Sequence, residues 1–271
     1  MAAIDGKILL KNNDCYKEYD KMTPKGIVVH STGANNPNLR RYIAPDDGII
    51  GKNEYGNDWN RPGEDVCVHA FIGKDKNGIV RTYQTLPFDI CCWGCGGGSK
   101  GSYNYDPAYI QFEMCEDDLT SESYCKAVYE KAVALCAYLC KKYKLSVSNI
   151  VSHKEASERG YASSHGDPEN WLPRFGYTMD RLRRDVRERL EPRTLDKKGF
   201  KKGDKGLGVL AFKQLLILAY AKGFVKTRVK NDDLYDEKTV KAVNELLKGF
   251  GYRESGTAGE RLIKKLYRKL R

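Results

Sequence analysis

Short runs of β-branched and aliphatic residues alternate along this chain with longer stretches in which apolar positions return at helical spacing. Between residues 24 and 190 the runs Gly26–His30, Val68–Ile72, Ile79–Thr85, Tyr109–Cys115 and Ser148–Ser152 have the length and composition of strands. Lys74-Asp75-Lys76-Asn77-Gly78 separates the second run from the third, and its Asn-Gly marks a tight hairpin turn. From Ser121 to Tyr143 the residues Cys125, Val128, Ala132, Leu135 and Leu139 share one helical face, which predicts a long amphipathic helix. Thr178 caps a second helix, with Met179, Leu182, Val186 and Leu190 along one side. Strands interleaved with helices specify an α/β layer architecture, with a mixed central sheet flanked by helices.

The pattern changes near residue 192. Pro192 to Gly206 is rich in lysine and glycine and reads as a connector. Three shorter helical patterns follow, marked by Val209, Phe212 and Leu216, by Val240, Val243 and Leu247, and by Leu262, Leu266 and Leu270. The first two close on Lys222-Gly223-Phe224 and Lys248-Gly249-Phe250, which predicts a duplicated helical unit. The expected organisation is one domain over residues 1–191, a linker over 192–206 and a small all-α three-helix domain over 207–271.

Charge sharpens that division. Residues 193–271 carry 21 basic and 9 acidic side chains, a net of +12, whereas residues 1–192 carry a net of −1. An excess confined to one segment points to an anionic partner, and bacterial cell wall, nucleic acid and acidic membrane all qualify. Nucleic acid is disfavoured because no recognition motif or interleaving of basic and aromatic residues is present. No run approaches the roughly 18 apolar residues that a membrane-spanning helix needs. The N-terminal stretch lacks the ~7–15-residue apolar core of a secretory signal. All nine cysteines lie between Cys15 and Cys140, odd in number and irregular in spacing. Free thiols in a reducing cytosol are therefore expected rather than a disulfide framework. Cys92-Trp93-Gly94-Cys95 has the spacing of a zinc or redox pair, but no second pair accompanies it and Gly96-Gly97-Gly98 follows. It does not read as a metal centre.

The candidate chemistry lies elsewhere. His30 closes one apolar run and His153 closes another, while Asp167 sits in the turn-rich stretch Ser163-Ser164-His165-Gly166-Asp167-Pro168. Three nitrogen and oxygen ligands with a fourth position left for water make a catalytic rather than a structural zinc site. Such a site needs a carboxylate to take the water proton and pass it to the leaving amine, and Glu113 ends a strand-like run. Its neighbours Glu116 and Asp117 read as a solvated strand end. A donor for the tetrahedral oxyanion is also needed, and His165 lies two residues before Asp167. An allocation with His165 as the ligand and Asp167 behind it stays open.

The ordered set Ile27-Val28-Val29-His30-Ser31-Thr32-Gly33, Tyr109-Ile110-Gln111-Phe112-Glu113, Val151-Ser152-His153 and His165-Gly166-Asp167-Pro168 resembles the zinc-dependent N-acetylmuramoyl-L-alanine amidases. Those enzymes share a fold with peptidoglycan-recognition proteins and include many phage endolysins. The resemblance covers about residues 24–190 and implies one zinc ion held by His30, His153 and Asp167. It implies hydrolysis of the amide between N-acetylmuramic acid and L-alanine in peptidoglycan, and the chemistry such a site needs makes Glu113 and His165 the expected catalytic residues. Related amidases often carry lysine in the place of His165, and an imidazole there would tie activity to its protonation. His69 aligns with a position where such amidases commonly have histidine and reads as a residue of the substrate groove or just behind it. Trp93, Tyr103, Asn104 and Tyr105 flank the glycine-rich loop and suit binding of glycan and stem peptide. Residues 232–243 and Gly256-Thr257-Ala258-Gly259 resemble the small three-helix peptidoglycan-binding domain, with Asp233 and Asp236 where that family has glycine.

The reading is a bacteriolytic cell-wall hydrolase of phage or prophage origin. It would accumulate in the host cytoplasm before lysis, and its basic domain would hold anionic wall polymers. The alternative is a recognition protein that binds peptidoglycan without cutting it. A full ligand set favours the enzyme.

Overall fold

A computed structural model describes residues 3–190 and 199–270, and the chain divides after Leu190 into two compact units. Six strands of the first unit form one sheet: β1 (Gly6–Lys7), β2 (Gly26–Ser31), β3 (Ala70–Lys74), β4 (Val80–Gln84), β5 (Tyr109–Met114) and β6 (Ile150–Ser152). Among the described residues its helices are α1 (Asp14–Glu18), α2 (Glu122–Tyr143), α3 (His153–Glu158) and α4 (Met179–Leu190). The strand order is β1-β4-β3-β5-β2-β6, with β3 and β4 antiparallel and the other neighbours parallel. This is the mixed sheet flanked by helices that the periodicity predicts. β1 was not foreseen, because two residues are too few to leave a periodic signal. β6 begins later than expected because residues 147–149 form a tight 3-10 turn.

Both faces of β2 are covered, so all six of its residues are buried. Alternation along the strands then separates two sets of side chains. Ile27, Val29, Ile110, Phe112 and Met114 pack with α2 in the main core. Val28, His30, Gln111 and Glu113 take the opposite face. The parallel register places Val28 beside Gln111 and His30 beside Glu113, so polar groups gather at the carboxyl ends of the strands. Ligand sites of open α/β sheets form at that edge. β6 runs directly into α3, where Ser152 and Glu155 make a reciprocal capping box and Arg183 of α4 clamps Glu155 at 2.8–2.9 Å. His153 is thereby fixed as the first residue of a capped helix.

In the second unit α5 (Leu207–Ala221), α6 (Glu237–Gly249) and α7 (Glu260–Leu270) enclose a separate core built on Phe212, Tyr235, Leu246 and Leu266. The expected linker is divided. Residues 192–198 lie outside the described residues, whereas Phe200 is buried in this core and pairs with Ala258, so residues 199–206 belong to the unit. The repeated Lys-Gly-Phe tripeptides are not equivalent either. Gly223 lies past the end of α5 in a left-handed turn, whereas Gly249 is still helical and the turn falls on Gly251. Asp236, in one of the two glycine places, caps α6 by accepting from the Thr239 N–H at 2.8 Å. The buried Lys213 ammonium holds the preceding loop through Asp232 and the Leu234 carbonyl, each at 2.7 Å.

Gly26 starts β2 where no side chain fits. An added Cβ would lie 2.5 Å from the Asn149 carbonyl oxygen and 2.3 Å from the Tyr109 ring. Gly26→Ala is expected to cost about 1–3 kcal/mol of stability in a denaturant titration, since the backbone oxygen cannot yield without moving β6. An unchanged midpoint would show that the strand pair is looser than its register implies.

Candidate active site

β2 presents His30 and Ser31, β5 presents Glu113, α3 presents His153, and the loop that follows presents Ser163, His165 and Asp167. They line one cavity of about 590 Å³ together with Thr32, Asp65 and Trp93. The Lys154 N–H donates to the Asp167 carbonyl at 3.3 Å, which ties that loop to α3.

The nitrogens His30 Nδ1 and His153 Nδ1 lie 3.1 Å apart, and each lies 3.4 Å from an Asp167 carboxylate oxygen. Ligand atoms about 2.0–2.1 Å from a tetrahedral zinc ion stand about 3.3 Å from one another, so this triangle fits such an ion. Among the described residues it is the one group of histidine, cysteine and acidic side chains able to hold a metal. The far nitrogens are engaged as well. His30 Nε2 meets the Gln111 amide oxygen at 3.0 Å, and His153 Nε2 meets the Ser163 hydroxyl at 3.3 Å. Asp167 also accepts from the Ser31 N–H at 3.2 Å.

The electrostatics agree with a site built for a cation. Burial and the neighbouring His30 and His165 push the His153 imidazole down to about 4. Burial also works against charge on His30, but the hydrogen bond to Asp167 and the Glu113 and Asp167 charges outweigh it and leave His30 raised. Burial raises Asp167, yet its histidine partners and the Ser31 N–H leave it below the usual carboxylate range.

Glu113 is buried opposite His30, with Oε2 lacking any partner. Burial, reinforced by the nearby Asp167 and Glu116 charges and opposed by His30, pushes its carboxyl up to about 8. Glu116 and Asp117 are not the solvated strand end expected, being 2% and 7% exposed. Glu116 instead accepts from the Ser31 hydroxyl and braces the residue whose N–H holds Asp167.

The remaining site candidates divide. Trp93 and Asn104 line the cavity, and His165 lines it exposed, its Nδ1 3.0 Å from the Ser163 hydroxyl. His69 and Tyr103 do not line it. His69 is fully buried, with Nε2 on the Ile90 carbonyl at 2.9 Å and Nδ1 accepting from the Gln111 N–H at 3.0 Å. Burial pushes its imidazole down to about 4. Tyr103 is core, stacked between Tyr109 and Tyr161 at 3.9 and 4.8 Å. Gln111, Ser163 and Glu116 were missed. Gln111 stands two residues before Glu113, on the same strand face, and period-two alternation was the signal that could have found it.

The raised carboxyl of Glu113 has a thermodynamic sign. Unfolded, it ionises near 4.5, and folded near 8, so the metal-free fold loses stability as pH rises between those values and loses none below them. Glu113→Gln removes that loss. With chelator present, the variant should match wild type near pH ~4 and exceed it by up to about 4 kcal/mol near pH ~8. Parallel stability curves for the two proteins would exclude a buried, proton-holding carboxyl.

Comparison with known proteins follows the same line. No curated protein matches the chain. Among solved structures it is similar to the Staphylococcus aureus hydrolase AmiA in complex with its ligand, at 20% identity over 64% of this chain and 78% of that one, TM-score 0.47. It is also similar to PlyL (19%, 68% and 96%, TM-score 0.46) and to the PlyG catalytic domain (22%, 70% and 96%, TM-score 0.46). Residues 20–170, more than half of the chain, match the N-acetylmuramoyl-L-alanine amidase family and span every strand from β2 to β6. With that match over the sheet that assembles the cavity, the chain belongs to the N-acetylmuramoyl-L-alanine amidases and is a peptidoglycan amidase.

Proposed function

We propose that the amidase is zinc-dependent, with His30, His153 and Asp167 as the ligands of one zinc ion. The observation that carries this reading is the triangle of donor atoms at 3.1, 3.4 and 3.4 Å, with both imidazoles turned Nδ1-inward. It also favours Asp167 over His165 as third ligand, because the Asp167 carboxylate oxygens lie 3.4 Å from the Nδ1 atoms of His30 and His153. Bound zinc supplies Lewis acidity to the scissile carbonyl and to the attacking water. Glu113, with a buried unpartnered oxygen and a proton affinity poised near neutrality, takes the proton from that water and delivers it to the L-alanine nitrogen as the amide breaks. His165 donates to the oxyanion from the cavity rim. Trp93 and Asn104 form part of the cavity wall against the substrate.

The second unit is read as the wall anchor, and the chain as a phage or prophage endolysin held in the host cytoplasm before lysis. Arg228, Lys230 and Lys238 line a cavity of about 610 Å³ in that unit and enter no ion pair among the described residues. Unpaired cations on one wall suit phosphate- or carboxylate-bearing wall polymers. All nine cysteines are free and buried, as a reducing compartment allows. Among the described residues no helix is long and apolar enough to cross a membrane.

Purified protein should contain about one zinc per chain and release new L-alanine amino termini from peptidoglycan without new reducing ends. His153→Ala should lose both the metal and the clearing of a wall suspension. Glu113→Ala should keep the zinc and lose about 10²–10⁴-fold in hydrolysis. Zinc-free protein with full activity would end the metal reading. For the anchor, Arg228→Glu with Lys230→Glu should lower wall co-sedimentation about tenfold at low salt and flatten its salt dependence, while hydrolysis of small soluble fragments is unchanged. Unaltered sedimentation would remove that cavity from the wall-binding surface.

A further inference from the structure

The segment from Cys92 to Asn104, with its Cys92-x-x-Cys95 pair, holds no metal cluster among the described residues and makes no disulfide. Its contacts instead converge on the two groups that hold the far nitrogens of the histidines. The Gln111 amide nitrogen faces three acceptors, Asn104 Oδ1 at 2.8 Å and Cys95 Sγ and the Tyr103 carbonyl at 3.5 Å each. A flipped amide would set Oε1 against the Asn104 oxygen, acceptor against acceptor. Gln111 is therefore locked with Oε1 toward His30, where an acceptor admits one tautomer only. Nε2 carries the hydrogen, and the Nδ1 lone pair is left for a metal.

The same loop reaches His153. The Ser163 N–H donates to the Cys95 carbonyl at 2.9 Å and its hydroxyl lies 3.2 Å from that oxygen, presenting an acceptor to His153 Nε2. The glycines between these contacts are required by space. A Cβ on Gly94 would lie 2.6 Å from Gln111 Oε1, and one on Gly96 3.0 Å from Ser163 Oγ. Asn104 has turned its amide oxygen inward, taking hydrogen bonds from the Cys95 N–H at 3.2 Å and from Gln111.

We infer that the Trp93–Asn104 loop is the frame that orients both histidines of the site, with Gln111 as a positioning residue that Asn104 locks and that sets the His30 tautomer. The inference rests on the zinc reading. Partners of ligating imidazoles fix ring orientation and basicity, and their loss typically costs 10–100-fold in metal affinity.

The test is zinc affinity of the full chain, by competition with a chromophoric chelator, for wild type, Gln111→Leu, Asn104→Leu and Asn104→Asp. Gln111→Leu should loosen zinc by about 10–100-fold and Asn104→Leu by about tenfold. Asn104→Asp retains the acceptor that locks Gln111 and should stay within about threefold of wild type, a rescue that loss of packing alone would not give. In the zinc-loaded wild type the His30 Nε2 proton should appear as a slowly exchanging imidazole resonance, and Gln111→Leu should lose it. Equal affinity of Gln111→Leu and wild type, or equal weakening by both Asn104 variants, would overturn the frame. Should Gln111→Leu fail to fold, the Asn104 pair still decides. Wild type that binds no zinc would fail the metal reading itself, a result distinct from tight zinc binding by every variant.

Discussion

Two imidazole nitrogens held 3.1 Å apart repel each other wherever both present lone pairs, unless something positive lies between them. The rest of the first unit can be understood as what keeps that pair together. Parallel pairing of β2 with β5 and β6 delivers His30, Glu113 and His153 to one sheet edge. A capped helix fixes one imidazole and the Ser31 N–H fixes the carboxylate that completes the triangle. A proton or a divalent ion between the two nitrogens would relieve the conflict. The stability of the site and its affinity for a cation are thus two aspects of one geometry.

Glu113 illustrates why this arrangement is chemically useful. A carboxylate buried beside two other acids is held near neutrality, where it can both accept and release a proton. The same burial leaves one of its oxygens without a partner, an expense a merely structural residue would not carry. The site concentrates its destabilising features in one place, and the long apolar contact between α2 and the sheet offsets them. Such a division between a strained site and a conventional core is expected where a fold serves chemistry.

What could be read in advance follows from how local each signal is. Buried strands announce themselves as apolar runs, so β2 to β6 and the amphipathic α2 were legible from periodicity, as were His30 and His153 at the ends of such runs. β1 was not, because its two residues are defined by their pairing with β4 alone. Glu116 misled because a charge after a strand normally meets water, and here the 163–170 loop folds over it with Asn170 within 3.4 Å. His69 and Tyr103 lie off the cavity wall for a different reason. Their side chains offer chemistry in isolation, but the fold spends it on an Ile90 carbonyl, a Gln111 N–H and an aromatic stack. No spacing rule records which side chain a loop covers when the partners stand 21, 42 or 54 residues apart in the chain.

The Cys92-x-x-Cys95 segment makes the same point about motifs. Its spacing invites a metal or redox role, yet its thiols are buried, and desolvation pushes that of Cys95 up to about 11, far from a reactive thiolate. Its functional content lies in backbone and in missing side chains: the Cys95 carbonyl on Ser163, and glycines that let the loop lie against Gln111 and Ser163. A ligand residue is identified by what it offers the metal, whereas these neighbours are identified only by what they withhold from the other nitrogen. They are therefore silent in a sequence read for reactive groups and visible once hydrogen bonds are followed outward from the imidazoles, which is how the polarity of a single amide, Gln111, comes to govern where a histidine lone pair points.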